Sequence, residues 1–538
     1  MRPYSACAGN APAAPSVAAN NPTDAATTSR DGNGSPYSSL SGYNSIDRTR
    51  LGEVSAQTSA DKPTARVLAL DLLRGLLMVI MAMDHLSIGL HAWAHGTGGT
   101  SEADGAVVYR WNKPAAYIVR SLTHLCAPGF MLLLGIGIVY LGTSRSQLGW
   151  SRTRLTRYFA LRALALTLIS VGTGFFASGG RLWFTNGVLV ALAVDYLVAG
   201  LIWLATTKTE PALSGWFACV LTSTVDTPIS RSPDSDSEAE QPLLRTGQPL
   251  CNATEAAAAR IAWHLHNVLL ATGSVVTIYW NIWLSDDSGR CAAAEHAAGS
   301  MAASPPNPLW RVWFWPVVGE HIVSPFPLLA WLSFALIGVL YGRIMLSLSP
   351  AGRATRILTG HVAVGLTFTV IFVLTRLLHF GNLSEGCLHT QEIQAHPGRN
   401  QYLVSAKDFF YIVKYPPDVA FWAATLAGNF YLLAALRTLP AQLVAKRFMM
   451  LLDFGRTALF FYVAHLVLIF SLSPWIVATF GHDTGVGNLT TLGTQRVIDS
   501  LPAFFAIWAA FMMALWPLCR WYGRFKLTKP SDSLWRFF

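Results

Sequence analysis

The stretch Arg66–His91, RVLALDLLRGLLMVIMAMDHLSIGLH, decides how the rest of the chain is read. From Val67 to Leu90 almost every residue is apolar, which is long enough for a membrane-crossing helix, yet the stretch carries Asp71, Arg74, Asp84 and His85. Ionisable groups in hydrocarbon are costly and need a reason to be there. On a helix advancing about 100° per residue, Arg74 and His85 fall roughly 20° apart on one face and about 16 Å apart along it. Asp71 sits one turn before Arg74 as its ion-pair partner, and Met78 and Met81 fill the stripe between Arg74 and His85. Taken singly, Arg74 can snorkel to the headgroups and His85 can be interfacial. Two ionisable groups on one face of a span favour a cavity.

Working outward, the 538 residues are 52% hydrophobic and only 13% charged, too apolar for a soluble chain of this length. The expected fold is an all-α polytopic membrane protein of about ten transmembrane helices. Residues 1–62 lack an apolar core, are rich in Ala, Ser, Asn and Gly, and read as a disordered cytoplasmic tail without a cleavable signal peptide. Residues 63–525 form the membrane domain and 526–538 a cytoplasmic C-terminal tail. After the first span the others are expected at about 114–141, 155–176, 184–206, 261–284, 324–346, 357–380, 416–436, 454–476 and 501–518. Within residues 207–260, read mostly as a disordered cytoplasmic loop, Ser232–Arg245 is acidic and rich in Ser and Pro.

The net charge of +10 does not point to nucleic acid, because Lys and Arg cluster at helix ends. They concentrate on the tail, the loops after even-numbered spans and the C-terminal segment, which puts both termini in the cytoplasm. Sequons at Asn382 and Asn488 fall in the opposite loops, while Asn252 falls on the cytoplasmic side. Cys291 and Cys387 are alone in those opposite loops and can pair as a disulfide. Nothing resembles a zinc cluster, a nucleotide-binding glycine loop or a serine-hydrolase elbow. An imperfect acidic dileucine, Glu240 to Leu244, hints at a vacuole- or lysosome-like address, with the plasma membrane as the other possibility.

Further polar groups lie within the other spans. Arg120 and His124 stack one turn apart in YIVRSLTHLCAPGF, with Pro128 and Gly129 just beyond to loosen the helix. Arg162, Asp195, Arg376, His379 and His465 occupy other spans, Tyr462 precedes His465 by one turn, and Lys414-Tyr415-Pro416-Pro417 marks a stiff approach to the eighth span. Any one of these can be a structural ion pair or interfacial contact.

Five segments in order carry a resemblance: LDLLRGLLMVIMAMDH, RSLTHLCAPGFMLLLG, PLLAWLSFALIGVLYGR, VKYPPDVAFWAATLAG and FGRTALFFYVAHL. Together they resemble the catalytic-domain family of heparan-alpha-glucosaminide N-acetyltransferase, within the wider transmembrane acyltransferase group. The resemblance spans most of residues 66–525. It implies transfer of an acyl group, acetyl above all, from cytosolic acetyl-CoA or another acyl-CoA to a carbohydrate-like small-molecule acceptor across the membrane, with no metal. It also implies a catalytic histidine eleven residues after an arginine, here His85 and Arg74. Relatives of the heparan enzyme carry asparagine at that position and histidine in the following loop, so His91 and His95 stand as alternatives.

The expected site is therefore His85 as base or acyl carrier with Asp84 and His124 in support. Arg74, Arg120, Arg162, Lys414, Tyr462 and His465 would bind substrate or coenzyme. Membrane lipid and the acceptor are the expected partners, nucleic acid is not, and a homodimer stays open. The rival readings are a secondary transporter whose path is lined by Arg74, Arg120, Asp195 and His465, and a non-catalytic family member.

Overall fold

The structure of the chain, a computed structural model, describes residues 68–94, 102–225, 247–285, 291, 308–348, 353–487, 494–530, 533 and 535. The expected tail, the Ser232–Arg245 segment, His95 and the Asn488 sequon lie outside the described residues. Helices run in the order α1 (Leu68–Gly89), α2 (Pro114–Thr123), α3 (Cys126–Gln147), α4 (Arg152–Ala177), α5 (Leu189–Val225), α6 (Gly247–Trp283), α7 (Pro308–Phe314) and α8 (Leu332–Ser347). They continue with α9 (Arg353–Leu378), α10 (Gln391–Gln394), α11 (Ala406–Phe409), α12 (Val419–Arg437), α13 (Ala441–Arg447), α14 (Met449–Arg456), α15 (Ala458–Phe480) and α16 (Leu501–Leu527).

Among the described residues nine helical segments, counting α2 and α3 as one, are long and apolar enough to cross a membrane. The protein is an all-α polytopic membrane protein. The tenth expected span is the 16-residue α8, shorter than the expected 324–346. Pro325 and Pro327 cannot donate helical hydrogen bonds, and Ile322–Ser324 instead forms a strand pairing with Phe184–Thr185 and Val317–Val318.

Two departures from the sequence reading have local causes. The second span is broken between α2 and α3 at His124 and Leu125, because Pro128 has no N–H for the His124 carbonyl and its ring crowds that oxygen. The expected 207–260 loop is largely helix: α5 runs to Val225 and α6 starts at Gly247, which also puts Asn252 in a helix. Arg343 of α8 braces the α5 extension through Glu210 at 2.8 Å and also takes Asn267 of α6 at 3.0 Å.

α1 is the central helix. Its apolar window is 67% buried, as are those of the α2–α3 segment and α12, against 22% for α9 and α16. It touches α14 backbone to backbone: a side chain at Gly75 would run into the Leu451 carbonyl, and one at Gly455 into the Asp71 carbonyl. Such small-residue contacts bring membrane helices close where lipid supplies no hydrophobic drive between them.

The His85 end of α1 lies under a tied roof built from residues 102–113 and 379–418. Val108 and Leu388 form a bridge, as do Ala103 and Tyr415, and Cys291 and Cys387 are joined by a disulfide. Fully buried Arg376 donates to Asn382 Oδ1 at 3.0 Å and to the Tyr411 carbonyl at 2.7 Å, with the Tyr402 ring 4.4 Å from its guanidinium carbon. Asn382 is 3% exposed and donates to the Thr375 carbonyl and Glu385, so in the folded protein this sequon presents no free amide for a glycan. Asp418 caps α12, accepting from the backbone N–H of Phe421 at 2.6 Å and of Leu383 at 3.1 Å. Burial pushes its carboxyl up to about 6, against the pull of Arg376 and those backbone donors.

Candidate active site

Two cavities follow the face of α1 that carries Arg74 and His85. The larger, of about 470 Å³, is lined by Arg74, Met78, Arg162, Tyr462, Arg456 and Lys526 among others. Its size lies within the ~300–1,000 Å³ typical of small-molecule sites. The smaller, of about 200 Å³, is lined by Met81, Asp84, His85, Cys126, Lys414 and Tyr415 among others. Phe130 and Val188 line both and form the wall between them. Met78 on one side and Met81 on the other mark the same division along α1.

His85 is held by His465 from α15. His465 Nδ1 lies 3.0 Å from the Phe461 carbonyl, which can only accept, so that nitrogen carries the hydrogen. His465 Nε2 is then a bare acceptor, and His85 Nδ1, 2.8 Å away, must be the donor. In the neutral ring this leaves the lone pair on His85 Nε2, to which no described residue is hydrogen-bonded. Tyr462 packs against the His465 ring at a centroid distance of 5.6 Å and, because both ring nitrogens are already engaged, is not the hydrogen-bonding partner its spacing suggested.

The neighbouring charges are spent on one another. Arg120 donates from Nε to Glu102 Oε1 at 3.0 Å, from Nη2 to Glu102 Oε2 at 2.9 Å and from Nη1 to Asp84 Oδ2 at 3.0 Å. His124 Nε2 completes the cluster 2.8 Å from Glu102 Oε2. Burial alone would raise the Glu102 carboxyl, but Arg120 and His124 hold it well below the usual carboxylate range.

Three of the expected site residues have partners of their own in this arrangement. Arg120 is not an open anion binder, because its guanidinium is shared between two carboxylates. Asp84 pairs with Arg120 through Oδ2. His124 lines the packing around Glu102 and an edge of Phe421, and does not line the His85 cavity. Glu102, on which the cluster depends, sits in a loop whose Gly-rich sequence gave no sign of it.

The remaining expected residues divide between the cavities. Arg74 keeps Asp71 at 2.9 Å and lines the larger one, as do Tyr462 and Arg162, whose guanidinium carbon is 5.1 Å from the Tyr196 ring centre. Lys414 lines the smaller one. His91 is exposed in a left-handed turn that ends α1 and lines neither. Asp195 is fully buried with neither carboxylate oxygen hydrogen-bonded among the described residues, and it too lines neither. Of the four residues of the transporter reading, Arg74 lines the larger cavity, and Arg120, Asp195 and His465 line neither of the two. Among the described residues no three His, Cys, Asp or Glu side chains are grouped to hold a metal. No protein-family model and no curated protein matches this chain.

Proposed function

We propose that the protein is an integral-membrane acyltransferase that moves an acyl group, acetyl above all, from a cytosolic CoA thioester to a sugar-like acceptor on the other side of the membrane. The supporting observation is an imidazole with a free Nε2, fixed by a second histidine, in a cavity that shares a wall with a larger cavity edged by Arg74, Arg162, Arg456 and Lys526. Those basic side chains suit the phosphates of a CoA donor. The Lys and Arg bias of the loops turns their end of α1 to the cytosol and the roofed end to the lumen or exterior, in an endomembrane or the plasma membrane.

On this reading His85 Nε2 takes the proton from the acceptor's amine or hydroxyl as that atom attacks the thioester carbonyl. The carbon–sulfur bond then breaks, and the departing thiolate recovers the proton from the His85 imidazolium. His465 carries no proton in this step. It fixes the His85 ring so that the lone pair faces the cavity, and its own Nδ1–H stays on the Phe461 carbonyl.

The test is incubation of the purified protein in lipid with radiolabelled acetyl-CoA and a panel of amino and neutral sugars. Acceptor-dependent thioester consumption that is lost in His85→Ala supports the reading. Equal consumption in both proteins, or coupled sugar uptake without thioester turnover, contradicts it.

A further inference from the structure

The smaller cavity holds a cation that the acyl-transfer chemistry does not use. Lys414 is 5% exposed, yet among the described residues no carboxylate, carbonyl or hydroxyl is hydrogen-bonded to its Nζ. Among the described residues the ammonium faces two rings, with centroids 5.4 Å away for Phe326 and 5.0 Å away for Tyr415. A buried charge is ordinarily paired or hydrogen-bonded, and aromatic faces replace only part of what water gave it. The nearby carboxylates are committed elsewhere: Asp84 Oδ2 to Arg120, and both oxygens of Glu102 to Arg120 and His124.

The lysine is held in place from behind. Its backbone N–H donates to the Glu102 carbonyl at 3.2 Å, and Lys414 pairs with Pro417 in a bridge at the turn leading to α12. The same loop that supplies Glu102 to the buried ion cluster therefore also fixes where Lys414 stands. His85 and Lys414 lie on one cavity, one offering a lone pair and the other a positive charge.

We propose that Lys414 is a binding residue for an anionic group on the acceptor, so that the acceptor is an acidic sugar or sugar-like alcohol bearing a carboxylate, sulfate or phosphate beside the hydroxyl or amine that attacks. This rests on the acyltransferase reading for the acceptor's being sugar-like, but the anion requirement is a statement about the cavity alone. At about 200 Å³ the cavity is below the ~300–1,000 Å³ of sites for drug-sized ligands, so it takes the end of an acceptor, about one ring. Nζ of Lys414 grips the anion, and His85 Nε2 meets the nucleophilic atom of the same ring.

The experiment is a binding titration of the full-length protein in lipid nanodiscs, with no acyl donor, against methyl glucuronide, glucose 6-sulfate, methyl glucoside and methyl glucosaminide. A charge-assisted contact predicts a Kd about tenfold or more below that of the glucoside for at least one of the two acidic sugars. The better of the two identifies the anion. That preference shrinks to about twofold or less in Lys414→Gln and survives in Lys414→Arg. Equal binding of acidic and neutral sugars, including no measurable binding of either, overturns the proposal. So does a preference that persists in Lys414→Gln, or tighter binding of the glucosaminide, which would give the cavity's charge to Asp84. Because no thioester is present, the anion preference can hold where acyl transfer fails, and acyl transfer can hold where the preference fails.

Discussion

The two ends of the α1 face differ in how they treat charge. At the Arg74 end the cavity is wide, Arg74 has 27% of its side chain exposed while it pairs with Asp71 at 2.9 Å, and Arg162, Arg456 and Lys526 line the same space. At the His85 end the cavity is less than half the size, and Arg120, Glu102, Asp84 and His124 are locked into a buried cluster beneath a roof fastened by Arg376 and a disulfide. A wide cationic mouth suits a large, flexible, anionic ligand that binds and leaves. A rigid chamber suits the placement of reacting atoms, where small displacements cost large factors in rate. On the proposed function, holding and reacting would then be separated along a single helix.

The contrast is broken most forcefully at Glu102. Removing its carboxylate in Glu102→Ala leaves buried Arg120 with Asp84 alone, and loss of one partner of a buried ion cluster costs about 3–5 kcal/mol. A fall in Tm and in chemical-denaturation stability is the expected result, and a stability near wild type would show that the roofed end is not held by this cluster. Next in size is His465→Phe, which keeps the aromatic packing against Phe461 and removes the acceptor for His85 Nδ1. The fold persists and acyl transfer falls about 10²-fold, with the pH–rate profile displaced because the His85 tautomer is no longer fixed. An unchanged profile would make His465 structural only.

A smaller effect is expected at the open end. Arg74→Gln raises the KM for acyl-CoA about tenfold with little change in kcat, since the contact is made equally before and during reaction. A fall in kcat instead would move Arg74 to the reacting centre and erase the division. The smallest effect is read in pH. Asp418 binds its proton more tightly in the folded protein, at about 6, than at the ordinary 3.8, so its contribution to stability is present below 3.8 and lost as pH rises through 6. Across that interval Asp418→Asn flattens the decline of Tm, and parallel declines in variant and wild type would remove Asp418 as its source.

The sequence made the membrane architecture legible, because long apolar runs broken by basic loops leave little else to build. The Asp71–Arg74 pair and the common face of Arg74 and His85 were legible for the same reason: helical spacing alone fixes them. What spacing could not show is partnership across elements. Arg120 looked like a ligand for a phosphate until Glu102, eighteen residues earlier in a loop without periodicity, turned out to occupy it. His465 and His85, 380 residues apart, gave no joint signal. The short α8 was not legible because prolines, not hydropathy, precede its start, and the long α5 because its extension is braced at Glu210 by Arg343 of a distant helix.

On the proposed function, acyl transfer happens where the two cavities meet, at His85. A structure of the protein in lipid with a non-hydrolysable acyl-CoA analogue tests it most directly. Phosphates against Arg74 and Arg162, and the acyl carbon at the Phe130 wall within reach of His85 Nε2, are the expected result. An analogue bound away from that wall, or a closed partition that leaves His85 unreachable from the larger cavity, would contradict it.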